Sequence, residues 1–229
     1  ILRRMKWGLI SDIHSNAPAL QAVLEDLKLH DIDGILCAGD IVGYYPFPNE
    51  TIDLMKSVNA TSIQGNHDRS VLRVDSSKMN PQAADAVLWT ASTLTDDRRQ
   101  YLQFLPMTKT LHSDDVSISI HHGSPRDPLE YVYEERASED LLRLADCSIL
   151  ILGHTHIPYA KKFNNGMVVN PGSVGQPRDG DPRASYSILD TEKKTIDNYR
   201  IDYDLDLLER RFRLTKLPNW LIERLRRGI

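Results

Sequence analysis

Asp12, His14, Asp40, Asn66, His67, His121, His122, His154 and His156 are the residues of this 229-residue chain whose types and spacing could do chemistry together. They come in short clusters: Asp-Ile-His, Gly-Asp, Gly-Asn-His-Asp, His-His-Gly and Gly-His-Thr-His. Six of the eight histidines fall within these clusters, and the other two, His30 and His112, read as surface or structural. Carboxylate, imidazole and amide oxygen form a mixed nitrogen and oxygen donor set without thiolate, which suits Mn²⁺, Fe, Co²⁺ or Zn²⁺ better than a soft ion or an all-oxygen Ca²⁺ site. The donors are too many for one tetrahedral ion and about enough for two ions sharing a carboxylate. Two such ions ~3.5–4 Å apart can clamp the attacking and leaving oxygens of a phosphoryl displacement and acidify a shared water. A remaining histidine is then free to act as a general acid. Taken alone, Asn66-His67 would be an ordinary pair of turn residues; the recurrence of such clusters is what points to chemistry.

Each cluster follows an expected strand: three are short apolar runs, Thr61-Ser62-Ile63-Gln64 is apolar-leaning, and Val116-Ser117-Ile118-Ser119-Ile120 alternates with period two. Strands are expected at 7–10, 35–38, up to Gln64, at 116–120 and at 149–152, and the clusters lie just beyond their carboxyl ends, the edge where open α/β sheets bind ligands. Helical patterns alternate with them. Pro18 suits the first turn of a helix carrying Leu20, Val23, Leu24 and Leu27. Asn49 is expected to cap a second helix with Ile52, Met55 and Val58. Asn80-Pro81 opens a third, with a stripe of Ala84, Val87, Leu88 and Ala91. Thr95 caps a fourth through Tyr101, Leu102 and Leu105, stopped by Pro106. Ser138 caps a fifth with Leu141, Leu142 and Ala145. Beyond Met167 the pattern turns to strands at 167–169, 184–189 and 195–201. Neighbouring His121 and His122 must point to opposite faces of their strand. His122, preceding Gly123, is the expected ligand, and His121 is expected to pack or hydrogen-bond elsewhere.

Hydrophobic content of 41% and charged content of 26% suit a soluble globular protein. The chain reads as one α/β domain over 1–229, with 1–4 as upstream or tag residues before Met5 and 205–229 as a C-terminal extension packed on the domain. A net charge of −4 gives no case for nucleic acid as a partner. No apolar run approaches the ~20 residues of a membrane span, and the start lacks a signal-peptide pattern. Cys37 and Cys147, far apart in apolar surroundings, read as buried free thiols of a reducing compartment. A cytoplasmic location without a membrane partner is the expectation.

The five clusters, in this order from about Trp7 to Tyr203, resemble the calcineurin-like metallophosphoesterases, in particular the small bacterial and archaeal phosphodiesterase-type members, which often carry a stretch similar to Asn-Pro-Gly-Ser-Val-Gly-Gln-Pro-Arg at 170–178. The resemblance implies a four-layer α-β-β-α sandwich of two mixed sheets. It also implies a dinuclear metal centre, with Asp12, His14 and His156 on one ion, Asn66, His122 and His154 on the other, and Asp40 bridging. His67 would be the catalytic proton donor. The implied cofactors are two divalent ions, Mn²⁺ foremost with Fe, Zn²⁺, Co²⁺ or Ni²⁺ as alternatives. The implied function is hydrolysis of small phosphodiesters or nucleotide polyphosphates through a metal-bound hydroxide. The partner is then a small phosphorylated substrate, with nucleotides among the candidates.

Protein phosphatases of this family carry Gly-Asp-x-x-Asp-Arg-Gly, whose second Asp supports the catalytic histidine. Gly43 and Tyr44 stand at those positions here. That disfavours the phosphoprotein phosphatase alternative and leaves the partner of His67 open. A non-catalytic scaffold of the same fold is a further alternative, opposed by the complete ligand set. Arg126, Arg178 and Arg183 lie in Gly- and Pro-rich loops where a guanidinium can grip phosphate, or pair with carboxylates such as Asp127, Asp179 or Asp181. Tyr44, Tyr45 and Phe47 are read either as a nucleobase stack or as packing against the domain. The Arg-rich end, with Leu217, Trp220, Leu221 and Leu225 interleaved, reads as a short amphipathic helix from Pro218 that packs Trp220 and Leu221.

Overall fold

Strand β1 (Lys6–Ile10) is central to a five-stranded sheet because it is buried on both faces. The structure, a computed structural model, describes residues 5–75, 77, 81–112 and 116–229; the readings of residues 1–4 and of Asn80 lie outside these. On one side β1 pairs in parallel with β2 (Gly34–Cys37), which pairs with the two-residue β3 (Thr61–Ser62). On the other side it pairs antiparallel with β9 (Ala184–Asp190), which is flanked by β10 (Thr195–Ile201). The second sheet runs β4 (Thr108–His112), β5 (Ser117–His121), β6 (Ile149–Ile151), β8 (Gly166–Asn170) and β7 (Tyr159–Phe163). Both sheets mix parallel and antiparallel pairs.

The sheets meet through a core in which Leu9, Leu36 and Ile63 of the first contact Ile118, Ile120, Ile151 and Val169 of the second. Helices cover the outer faces. α1 (Ala17–Leu27), α2 (Pro48–Ser57) and their neighbours bury Leu20, Val23, Ile52 and Met55 against the first sheet, while α6 (Glu139–Leu144) buries Leu141 and Leu142 against the second. This is the expected four-layer α-β-β-α arrangement. No helix among the described residues is long and apolar enough to cross a membrane.

Several local expectations change. α2 opens at Pro48 with Phe47 as its N-cap, not Asn49. Asn49 instead bridges forward, donating to Thr93 O at 3.1 Å and accepting from Thr95 N–H at 3.1 Å. α3 (Asn66–Arg73) starts inside the cluster that read as a turn. α4 (Pro81–Thr93) buries Val87 and Ala91 of the expected stripe together with Ala83, Ala86 and Thr90, while Ala84 is half-buried and Leu88 is 45% exposed, so its inward face is rotated away from Leu88. Thr95 precedes α5 (Asp96–Phe104) without accepting a backbone cap, and Ser138 likewise precedes α6. β4, β7 and α7 (Leu205–Phe212) had no counterpart in the sequence reading. α8 (Trp220–Arg227) is the amphipathic helix expected near the end; Leu221 and Leu225 pack with Tyr44, Tyr45, Leu208 and Phe212.

Candidate metal-binding and active site

The loops after β1, β2 and β6, the end of β5 and the first turn of α3 converge at one edge of the two sheets. They bring together Asp12, His14, Asp40, Asn66, His67, His122, His154 and His156. Three overlapping groups have ligand atoms within 4.8 Å of one another: Asp12, His14 and His156; His14, Asp40 and His67; and Asp40, His122 and His154. Asn66 joins the last, its Oδ1 lying 2.9 Å from His122 Nε2. Asp40 is central. Its Oδ1 accepts from the His67 backbone N–H at 2.8 Å, where the α3 N-terminus favours an anion. Its Oδ2 stands 3.3 Å from His122 Nε2 and 3.7 Å from His14 Nε2.

The backbone is bent to make this possible. Asp12, His14, Ser15, Asp40, His154 and His156 all have φ between 52° and 68°, a left-handed conformation that non-glycine residues seldom hold. Such strain persists only where surroundings over-determine it, and it gathers at functional sites. The surroundings are visible. Ser173 Oγ donates to Asp12 O at 2.6 Å and Gly175 N–H to the same oxygen at 3.0 Å. Asn170 Nδ2 donates to Gly153 O at 2.7 Å. The 170–178 stretch thus buttresses both the Asp12 loop and the Gly-His-Thr-His loop. A Cβ at Gly65 would come 2.0 Å from Asp40 Oδ1, and one at Gly153 would come 2.2 Å from Ser11 Oγ. The glycines before Asn66 and His154 let those loops close on the carboxylates.

Backbone carbonyls orient two of the imidazoles. His122 Nδ1 is 2.8 Å from Ala38 O and His156 Nδ1 is 2.6 Å from Gln176 O. Each Nδ1 therefore carries the proton in the neutral ring, which turns the Nε2 lone pair inward, as metal-binding histidines require. His156 Nε2 lies 3.2 Å from His14 Nε2 and 3.4 Å from Asp12 Oδ1. Electron pairs from nitrogen, carboxylate and amide oxygen converge with little to separate them, an arrangement a cation satisfies. Electrostatics agree. Burial lowers His154 to about 3 and holds His14 and His156 well below the usual imidazole range, so these rings are neutral, the form in which an imidazole can bind a cation. Burial opposes the charge of Asp40, yet His122 and His67 outweigh it and hold the carboxyl well below its ordinary range. Burial likewise opposes protonation of His122, but Asp40 pushes it up to about 9. Burial raises Asp12 to about 7 against the pull of His122.

His67 is buried, lowered to about 4 by burial against Asp40. Its ring meets His14 edge-on at 4.7 Å and Tyr44 at 4.6 Å. Its Nδ1 has no hydrogen-bond partner. The neighbouring carboxylate Asp68, which the sequence reading passed over, is not that partner. It accepts from Ile41, Val42 and Gly65 N–H groups at 3.2, 2.9 and 2.9 Å and so binds the Asp40 loop to α3.

The other candidates separate. His121 turns away to Ser119 Oγ at 3.1 Å. His30 contacts Asp26, and His112 is exposed on β4. Arg126 pairs with Glu130 at 2.6 Å and Arg183 with Asp181 at 2.7 Å, the carboxylate pairing weighed against a phosphate contact. Tyr44 and Tyr45 are 4% and 0% exposed, packed rather than open to a nucleobase. Arg178 differs. Its guanidinium is held by Gln176 Oε1 at 2.8 and 3.2 Å, and it makes no ion pair among the described residues. Its charge lowers the pKa values of Asp12, His14, His67 and His156, and its backbone N–H donates to His156 O at 3.4 Å. Sequence reasoning missed Tyr131, which is 43% exposed and stacks on His154 with centroids 4.0 Å apart. A separate concavity of about 960 Å³ between α1, α2 and α7 holds none of these side chains.

Comparison with known proteins gives a consistent picture. Residues 5–194 match the model of the calcineurin-like phosphoesterase superfamily domain. The chain is 36% identical over 236 residues to the uncharacterised protein MJ0912 of Methanocaldococcus jannaschii, covering 95% of this chain and 96% of that one. It is 27% identical over 205 residues to phosphodiesterase YfcE of Escherichia coli, covering 84% and 91%. Among solved structures, a metallophosphoesterase from Sphaerobacter thermophilus superposes with a TM-score of 0.84 at 34% identity, covering 99% of this chain and 100% of that chain.

Proposed function

This chain belongs to the calcineurin-like phosphoesterase superfamily and is a phosphoester hydrolase; on that premise we propose that it hydrolyses small phosphodiesters or nucleotide polyphosphates at a dinuclear metal site in the cytoplasm. The observation that carries the reading is the inward convergence of buried donors fixed from behind by backbone carbonyls and amides. Asp12, His14 and His156 would hold one cation, Asn66, His122 and His154 the other, with Asp40 between them. Mn²⁺ suits this donor set, with Fe, Zn²⁺, Co²⁺ and Ni²⁺ as alternatives. When bound, the pair supplies positive charge to the phosphoryl oxygens and the acidity that makes a nucleophile from water.

The remaining roles fall to the chain. His67 donates a proton to the leaving oxygen; an anionic phosphate beside its buried ring offsets the burial that otherwise keeps it neutral. Arg178 orients the substrate by gripping non-reacting phosphate oxygens. The strained loops hold the donors rigidly, so little reorganisation accompanies the reaction. A scaffold role is disfavoured because all the expected donors are present and face inward. Gly43, in place of a carboxylate beside His67, favours small substrates over phosphoproteins.

Hydrolysis of bis(p-nitrophenyl) phosphate by chelator-stripped protein, with Mn²⁺ added back, tests the reading. Turnover that returns with about two ions per chain supports it. No turnover on this diester or on nucleotides while two ions are bound would refute it.

A further inference from the structure

The imidazoles of the cluster are not all held in the same way. His122 and His156 are fixed by backbone carbonyls on their Nδ1 atoms, at 2.8 and 2.6 Å. His14 is fully buried, with the Tyr44 and His67 rings at 4.6 and 4.7 Å. His154 has no carbonyl anchor. Its hydrogen bonds to Asp12, at 3.0 and 3.3 Å, use the backbone N–H, and among the described residues none reaches the ring. The ring is held by stacking instead. Tyr131 lies against it with centroids 4.0 Å apart and planes 27° apart, and the His122 ring meets it at 4.9 Å and 60°.

Tyr131 is 43% exposed, and exposed side chains ordinarily exchange rotamers freely. Here the backbone on both sides is fixed. The loop that carries Tyr131 begins just after His122, where a Cβ at Gly123 would come 2.5 Å from the Pro128 carbonyl carbon, so the turn closes only on a glycine. Ser124 Oγ accepts from the Arg126 and Asp127 N–H groups at 3.0 Å each and donates to Glu130 Oε2. Glu130 N–H in turn donates to Asp127 O at 3.1 Å. On the other side Val132 is buried, and its carbonyl accepts from Tyr159 Oη at 2.8 Å. An exposed ring is thus set between two anchored neighbours, in a loop that starts at one candidate ligand and lies against another. Groups that touch a metal-binding histidine from outside orient it, and their loss commonly weakens metal binding by about 10–100-fold.

We propose that Tyr131 is a positioning residue: by stacking on His154 it holds that imidazole in the orientation needed for the cation assigned to Asn66, His122 and His154. The ring does for His154 what the carbonyls do for His122 and His156. The inference rests on the dinuclear reading above and deepens it, because it makes the two ions unequal. One depends on the 123–132 loop, and the ion assigned to Asp12, His14 and His156 does not. The contact is made by the ring face, so phenylalanine serves in place of tyrosine.

The test is calorimetric titration of chelator-stripped protein with Mn²⁺ for the wild type, Tyr131→Phe and Tyr131→Ala, together with a melting curve of each stripped protein. The wild type and Tyr131→Phe are expected to take up two ions with matching affinities. In Tyr131→Ala one binding step weakens by about tenfold and the other changes little, while the melting curve of the stripped protein stays close to that of the wild type. Unchanged affinity for both ions in Tyr131→Ala overturns the proposal. Equal weakening of both ions with a lowered melting curve marks a general structural role and overturns it too, as does a Tyr131→Phe variant that behaves like Tyr131→Ala. Failure of the dinuclear reading has a different signature: the wild type itself then takes up fewer than two ions.

Discussion

Gly43 sits directly against His67: a Cβ at this position would stand 3.1 Å from Nδ1 of His67 and 2.6 Å from Nδ1 of His14. Its φ of 148° is also one that side-chain-bearing residues rarely adopt. Both ring nitrogens are buried without a hydrogen-bond partner. The glycine therefore lets two imidazoles and the Tyr44 ring pack together where protein phosphatases of the family insert a carboxylate. Gly43→Ala should displace His14 or His67 and lower kcat/KM by about tenfold or more, with a strain of ~1–3 kcal/mol from the backbone alone. Steady-state kinetics and a melting curve check this. Unchanged kinetics would show that the pocket between the rings has room to spare.

Asp40→Asn addresses the metal assignment. The carboxylate receives the α3 N-terminus on one oxygen and faces His14 and His122 with the other. Removing its charge should leave fewer than two ions bound per chain, measured by elemental analysis after dialysis against Mn²⁺. Retention of two ions would remove Asp40 from the bridging position.

Leu221→Ala tests whether α8 is part of the folded unit. Leu221 is fully buried among Tyr44, Tyr45 and Phe212. Its truncation should destabilise the protein by about 2–5 kcal/mol, as is usual for such core deletions. Urea unfolding provides the measurement. A loss below ~1 kcal/mol, the scale of a surface change, would mean that the helix is only loosely attached.

The thiols give a simpler check. Burial pushes Cys147 up to about 11 and Cys37 higher still, and neither is in a disulfide. Cys147 is half-buried and Cys37 fully buried beneath the helices. Ellman's reagent at neutral pH should modify Cys147 slowly and Cys37 only on unfolding. Rapid reaction of both would contradict the packing of β2.

Much of this architecture is legible in the sequence where a single physical signal dominates. β1, β2 and β6 are short apolar runs and β5 alternates Ser and Ile with period two, and the chemical clusters fall at their ends. The edge strands β4 and β7 are not legible, since Lys109 and Lys162 face solvent while Lys161 lies half-buried with its Nζ on the Glu134 and Ala137 carbonyls, so polar residues fall on both faces and mask the alternation. α3 is hidden because its first turn is made of Asn66, His67 and Asp68, residues that equally suit a loop. α4 shows the limit of periodicity: small alanines on several sides leave its inward face ambiguous, and Thr90 rather than Leu88 is buried. The candidate ligands themselves are readable by type and order. The left-handed backbone at Asp12, His14, Asp40, His154 and His156 is not, because nothing in a non-glycine residue announces it.

The most direct test of the central claim is the leaving-group dependence of His67→Ala, with metal content measured on the same sample. A proton donor matters most when the leaving oxygen is a poor leaving group. The account predicts that the variant keeps two ions and loses far more activity on a diester with only alkoxide leaving groups, such as a nucleotide diester, than on p-nitrophenol release from bis(p-nitrophenyl) phosphate. Equal losses on both substrates, or loss of the metal itself, would contradict the assignment of His67 as the proton donor of a metal-dependent phosphoesterase.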